Sequence, residues 1–144
     1  MKIENISEFL QTYHNFDDCV LLGFEWRDLG YTLDCHINNI YRPDGSVRDH
    51  LEIEQRGTLR FTTVLEFRIA NGLTQYQLEH LEEIEWSSNI FSQMKLETES
   101  ELLSNYKHLR LKAHHLSIRW ERKEKRVDIV FSDMEYFWRT PQIL

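Results

Sequence analysis

Proline and glycine are scarce in this chain, with two prolines and five glycines in 144 residues. With so few chain breakers, no Ser/Gly/Pro-rich stretch and no fixed repeat, the sequence argues against an inter-domain linker, a solenoid and a low-complexity tail. Cysteine is just as sparse. Cys19 and Cys35 stand without CxxC spacing, which argues against a disulfide scaffold and leaves two reduced, packed thiols. No run approaches the roughly 20 apolar residues of a membrane helix, and the opening MKIENISEFLQTYHN lacks the unbroken apolar centre of a signal peptide. A cytoplasmic protein with no membrane partner is expected. The GxSxG, GxxxxGKS/T, GxGxxG, HExxH and EF-hand patterns are all missing, so the usual nucleophile, phosphate, dinucleotide, zinc and calcium devices have no support here. No catalytic residue, cofactor or metal is expected.

What the chain has is apolar and acidic. Hydrophobic residues make up 41% and aromatics 12%, enough for a single core in one domain spanning residues 1–144. The net charge of −7 is unevenly spread. Five Lys/Arg face eleven Asp/Glu over residues 1–57 and three face eight over 58–104, whereas nine face five over 105–144. The acidic majority repels phosphate backbones, which argues against nucleic acid and favours a basic protein partner.

Periodicity divides the chain. Asn5 with Glu8 makes a capping box, and Ile6, Phe9, Leu10 and Tyr13 recur at helical spacing, so a helix over 6–14 is expected to lie as a lid on a sheet. From Asp18 the period becomes two: Val20, Leu22, Phe24 and Trp26, then Tyr31, Leu33, Cys35 and Ile37. In an antiparallel hairpin, opposed residue numbers have a constant sum. A sum of 57 pairs Trp26 with Tyr31 and Phe24 with Leu33, whereas 59 would set Glu25 against Asp34, a like-charge pair. The first register is therefore expected, with Cys35 in the core and Asp34 and His36 on the other face. Tyr41-Arg42-Pro43-Asp44-Gly45 reads as a turn. Residues 51–55 are expected to pair with Leu59 and Phe61 across an Arg56-Gly57-Thr58 loop, with Glu54 opposite Arg60. Leu59 to Ile69 alternates most clearly of all. Capping boxes at Thr74 and Thr98 predict helices near 75–83 and 99–108. Between them Ile84, Trp86, Ile90, Met94 and Leu96 share one strand parity.

The stretch HHLSIRWERKEKRVDIVFSDMEY, residues 114–136, reads as a hairpin with a solvated tip over 122–125. A sum of 247 pairs Leu116 with Phe131, Ile118 with Ile129 and Trp120 with Val127. It also places Arg119 on Asp128 and Glu121 on Arg126. The apolar parity switches at His114 and His115, as at a bulge or strand start. Side chains of adjacent strand residues diverge, so these two histidines do not make a metal site together. Cys19 lacks a cationic neighbour and reads as structural rather than as a nucleophile served by His14 or His36. Asp17 and Asp18 read as a helix-to-strand turn before they read as a catalytic acid pair. Tyr136, Phe137 and Trp138 leave one ring facing outward on any parity, which marks an interface.

The fold expected is α+β, a mainly antiparallel sheet of six or seven strands built from hairpins with two or three short helices. The succession FDDCVLLGFEW, LDCHI, TLRFTTVLEF and the closing HHLSIRWERKEKRVDIVFSDMEY resembles small bacterial α+β proteins, some of them similar to immunity partners of polymorphic toxins. Such proteins often open their first strand with a His-Asp or aromatic-Asp pair, and Phe16 stands here where many carry His. The resemblance implies a non-enzymatic binder that occludes a toxin surface. The expected docking surface is an acidic face formed by Asp17, Asp18, Asp34, His36, Glu82 and Glu83 toward a basic partner. The alternatives are a small-molecule binder or enzyme with an aromatic-lined pocket around Trp86, Trp120, Trp138 and Tyr136, and a homodimer joined through Tyr136 to Trp138.

Overall fold

The computed structural model describes residues 1–17, 19–38, 56–70, 91–109, 112–120 and 126–138. The N-terminal helix α1, Ile6–Thr12, starts where the sequence places it: the Glu8 N–H donates to Asn5 Oδ1 at 3.0 Å, and Ile6, Phe9 and Leu10 point inward. It stops two residues early because His14, Asn15 and Phe16 turn left-handed, forming a 3-10 turn over His14–Phe16. That turn buries Phe16 among Phe9, Tyr13 and Tyr136, with ring centroids 5.0 to 6.5 Å apart. Helix and turn lid one face of the sheet, as the amphipathic pattern requires.

The sheet has six antiparallel strands in the order β1-β2-β3-β6-β5-β4. They are β1 Val20–Arg27, β2 Thr32–Asn38, β3 Gly57–Ala70, β4 Phe91–Leu96, β5 His114–Trp120 and β6 Arg126–Trp138. A second short helix, α2 at Glu101–Ser104, follows β4. This is an α+β arrangement dominated by its sheet. Among the described residues no helix is long and apolar enough to cross a membrane. The predicted turn at 41–45 and helix at 75–83, with Ile84, Trp86 and Ile90, lie outside the described residues; Met94 is buried in β4 as its parity requires.

Four local expectations are corrected. The β1–β2 hairpin adopts the register rejected on charge grounds: Glu25 opposes Asp34, Phe24 opposes Cys35 and Trp26 opposes Leu33. Repulsion does not decide it, because Arg27 and Arg60 hold the Asp34 carboxylate between them. A bulge between Leu21 and Gly23 also brings Leu21, rather than Leu22, into the core. Second, Gly57 and Thr58 are not a loop but the start of β3. Leu59 and Phe61 lie between Cys35 and Leu33 on one side and Tyr136 and Met134 on the other, and Arg60 lies between Asp34 and Glu135. The expected partners at 51–55 lie outside the described residues. Third, β5 and β6 pair as a hairpin with correct faces but two residues out of the expected register. Leu116 opposes Ile129, Ser117 opposes Asp128 and Arg119 opposes Arg126. The two arginines tolerate each other because Glu97 reaches both, at 3.9 and 3.5 Å. Fourth, α2 begins after Ser100, not Thr98, because the Ser100 hydroxyl caps the Leu102 and Leu103 N–H groups while its other side is tied to His115.

The central pair β3–β6 switches face midway. Thr63 takes φ 52° and is exposed, so the inward series runs Leu59, Phe61, Val64, Phe67, Ile69, while across the ladder it runs Tyr136, Met134, Phe131, Ile129, Val127. A bulge between Val64 and Glu66 restores the parity.

Gly57 has a steric reason to be glycine. A Cβ there would meet the Tyr136 Oη at 2.6 Å and its ring at 2.8 Å, and that ring is locked by Phe9, Tyr13 and Phe16. Gly57→Ala is expected to cost about 1 to 3 kcal/mol through overpacking. Thermal melts of Gly57→Ala in wild-type and Tyr136→Leu backgrounds test this, since the cost should shrink once the ring is gone.

Candidate functional site

The solvent-side face of β1, β2 and β3 carries the first polar cluster. Alternation sends Glu25, Asp34, His36, Thr58 and Arg60 to this face, opposite Cys35 and Leu59. Asp34 is only 1% exposed. Its Oδ2 accepts from Arg27 Nε at 2.6 Å and Arg60 Nη2 at 3.0 Å, and its Oδ1 accepts from Arg60 Nε at 2.7 Å. Burial pushes the carboxyl pKa up, but the hydrogen bonds from Arg60 and then Arg27 outweigh it and leave the pKa below its ordinary value. Beside it, burial and then the Asp34 charge push the Cys35 thiol far above the usual range, so this cysteine is no nucleophile. His36 lies between Thr58 Oγ1 at 2.8 Å and Glu25 Oε2 at 3.2 Å.

Glu25, Asp34 and His36 offer three ligand atoms within 4.8 Å of one another. Two guanidiniums already fill both oxygens of Asp34, and a divalent cation placed there would face them at close range. The chemistry of the cluster is a shared ion pair, the bidentate arginine–carboxylate type.

The second feature is the tip joining β1 to β2. Asp28, Leu29 and Gly30 are left-handed in succession, with φ of 52°, 57° and 92°. The turn is closed by the Tyr31 N–H donating to the Asp28 carbonyl at 3.2 Å and by Thr32 Oγ1 donating to Asp28 Oδ2 at 2.8 Å. It holds out Leu29, fully exposed, with Tyr31 at 66% and Trp26 at 44%. Non-glycine residues in this region are strained, and such strain persists where the surroundings enforce it.

The third lies on the polar side of β4, β5 and β6, around a cleft of about 310 Å³ lined by Arg68, Glu97, Ser100, His115, Arg126 and Asp128 among others. His115 is buried, with Nε2 2.7 Å from Asp128 Oδ1 and Nδ1 2.5 Å from Ser100 Oγ. Arg126 Nε donates to both Asp128 oxygens at 2.9 and 3.0 Å. Burial raises the Asp128 pKa, but the bonds from Arg126 and then His115 bring it below the ordinary value. Ser117 Oγ donates to Glu97 Oε1 at 2.8 Å.

The residues expected to form one acidic face are therefore not alike. Asp17 is exposed just before β1, Asp34 is buried and neutralised, and His36 is half-buried; Asp18, Glu82 and Glu83 lie outside the described residues. Of the three expected interface rings, Tyr136 is buried in the core under α1, while Phe137 is 39% exposed with the Arg60 guanidinium 4.7 Å above it. The side chain of Trp138 lies outside the described residues, as do those of Trp86 and Trp120 from the expected aromatic pocket. His114 and His115 diverge as expected, one toward the Phe131 ring at 5.7 Å and the other to Asp128.

The Ser100–His115–Asp128 chain was missed by motif reading. Its signal is the shared parity of His115, Ser117 and Arg119, which pointed to one polar face, but the two-residue error in register set Asp128 opposite Arg119, away from His115 along that face. No protein-family model matches this chain, and no similar curated protein or solved structure is found.

Proposed function

We propose that the chain is a protein-binding module of the immunity type that docks on a basic partner through the β1–β2 tip. The observation that carries this reading is Leu29, held out fully exposed by a left-handed turn, with the exposed Tyr31 after it and, on β1 before it, Trp26, which is 44% exposed while its ring packs edge-on against Phe67. Trp, Tyr and Arg dominate binding hot spots, and Arg27 stands between two of these residues. An apolar knob on a rigid turn loses little conformational freedom on binding, which favours affinity. The acidic excess over residues 1–57 and the exposed Asp17, Glu25 and Asp28 nearby in sequence favour a positively charged partner and a fast encounter. Asp34 takes no part in docking on this reading. Its carboxylate is enclosed by arginines, and its role is to keep β1, β2 and β3 in register.

The test is co-expression with the product of the neighbouring reading frame, followed by titration of purified variants. Trp26→Ala and Tyr31→Ala are each expected to weaken binding by roughly 30-fold or more, the size of a hot-spot loss. Leu29→Asn is expected to weaken binding without lowering the melting temperature, since Asn tolerates the left-handed region better than Leu. Affinities unchanged by all three substitutions would reject the tip as the docking element.

A further inference from the structure

We infer that the cleft beside β4, β5 and β6 is a hydrolytic centre, with Ser100 as nucleophile, His115 as general base and short acyl esters as substrates. The inference is independent of the docking tip, which lies on β1 and β2 at the far edge of the sheet from β4. A nucleophile, a base in hydrogen-bond reach and a third group orienting the base form the constellation that activates a serine on unrelated folds. Here all three are joined. His115 Nε2–H donates to Asp128 Oδ1 at 2.7 Å, which leaves Nδ1 as the acceptor for the Ser100 hydroxyl at 2.5 Å. Arg126 fixes the carboxylate by donating to both of its oxygens, including the Oδ1 that His115 meets, so Asp128 is a positioning residue that sets the tautomer. The Leu102 and Leu103 N–H groups, 3.1 and 3.4 Å from Ser100 Oγ, hold that oxygen with its proton directed at Nδ1.

The arrangement opens on space. Ser100, His115 and Asp128 all line the cleft of about 310 Å³, together with Leu102 as an apolar wall, the carboxylates of Glu97, Glu99 and Glu101, and Arg68, whose guanidinium is paired with Glu66. A buried His–Asp pair serving only as a helix-cap brace has no need of a cleft at its serine. In the reaction, Ser100 Oγ bonds to the ester carbonyl carbon while its proton passes to His115 Nδ1. The tetrahedral oxyanion collapses, the C–O bond to the alcohol breaks, and the departing alkoxide takes the proton from Nδ1. Water then attacks the acyl carbon, giving a proton to Nδ1, and the C–Oγ bond breaks. Ser100 recovers its proton, and a carboxylic acid is released.

The full chain is incubated with a fluorophosphonate, whose P–F bond breaks as a P–Oγ bond forms and fluoride leaves, and the adduct is mapped by mass spectrometry. A single adduct on Ser100 is expected, with steady release of p-nitrophenol from p-nitrophenyl acetate. Ser100→Asn keeps a residue that caps helices as well as serine and is expected to abolish both signals while the protein stays folded. His115→Gln is expected to slow ester turnover by roughly 10² to 10⁴-fold. Asp128→Asn is expected to slow labelling and Asp128→Glu to restore part of it at matched melting temperature, a pattern a purely structural role would not give. The inference is overturned if the folded wild-type protein takes no label, if the label sits on another residue, or if Ser100→Asn turns over the ester at the wild-type rate.

Discussion

Replacing Arg60 by alanine is expected to cost about 3 to 5 kcal/mol of stability at neutral pH, the penalty for stranding a buried charge. Asp34 is almost fully enclosed, and two of its three side-chain hydrogen bonds come from Arg60. With Arg60 gone, the carboxylate keeps one bond, to an arginine that is itself nearly half exposed. Arg27→Ala removes that single bond and is expected to cost less. The pH dependence has a definite sign. The folded pKa of Asp34 lies below the ordinary 3.8, so the stabilisation is present above 3.8 and is lost as pH falls through the lower folded value. The deficit of Arg60→Ala against wild type is therefore largest near pH 7 and narrows below about pH 3.8. Adding Asp34→Ala to Arg60→Ala is expected to recover part of the loss, because the stranded charge goes with it. Urea unfolding at several pH values measures all of this. Equal midpoints for Arg27→Ala and Arg60→Ala would show that the carboxylate is not held in the way described.

Phe131→Ala is expected to remove about 3 to 5 kcal/mol, the usual cost of truncating a fully buried aromatic. Phe131 stands where the central strands change face. It opposes Val64 and His114, and it packs edge-to-face on Phe61 with centroids 4.8 Å apart. The cavity does not collapse, because its walls come from two ladders of one continuous sheet and the backbone cannot close on it. Phe131→Leu, which keeps most of the volume, is expected to cost much less. The exposed Phe137 serves as a contrast. Its ring meets solvent and one guanidinium, so Phe137→Ala is expected to cost no more than about 1 kcal/mol. Calorimetric or urea melts of the three variants decide the ranking.

The sequence revealed which residues are inward more reliably than which residues meet. The inward set Leu33, Cys35, Ile37, Leu59, Phe61, Leu116, Ile118, Val127 and Ile129 is buried as alternation required. Both hairpin registers, however, were displaced by two, a shift that preserves every face and so leaves no trace in hydrophobic pattern. Charge across the strands was counted in favour of both registers, by keeping Glu25 from Asp34 in the first and by setting Arg119 on Asp128 in the second, and it misled both times for the same reason. Asp34 and Arg126 answer to partners outside the pair under consideration, Arg60 on β3 and Glu97 after β4. Two-strand reasoning cannot see a third strand. The polar cleft was hidden for a related reason: Ser100, His115 and Asp128 come from three elements, and no spacing between them is fixed by a local motif.

The strand order also has a kinetic consequence. Pairs within β1–β2 and β5–β6 join residues no more than 18 positions apart, whereas β3–β6 joins residues from 56 positions apart, Ala70 with Arg126, to 81, Gly57 with Trp138. Closing so wide a loop costs chain entropy before any contact rewards it, so this seam sets a high contact order. Refolding is expected on a timescale of roughly milliseconds to seconds rather than microseconds. Until the seam zips, each half of the molecule carries an unsatisfied ribbon edge, and crowding by other nascent copies at that moment is when mispairing would begin.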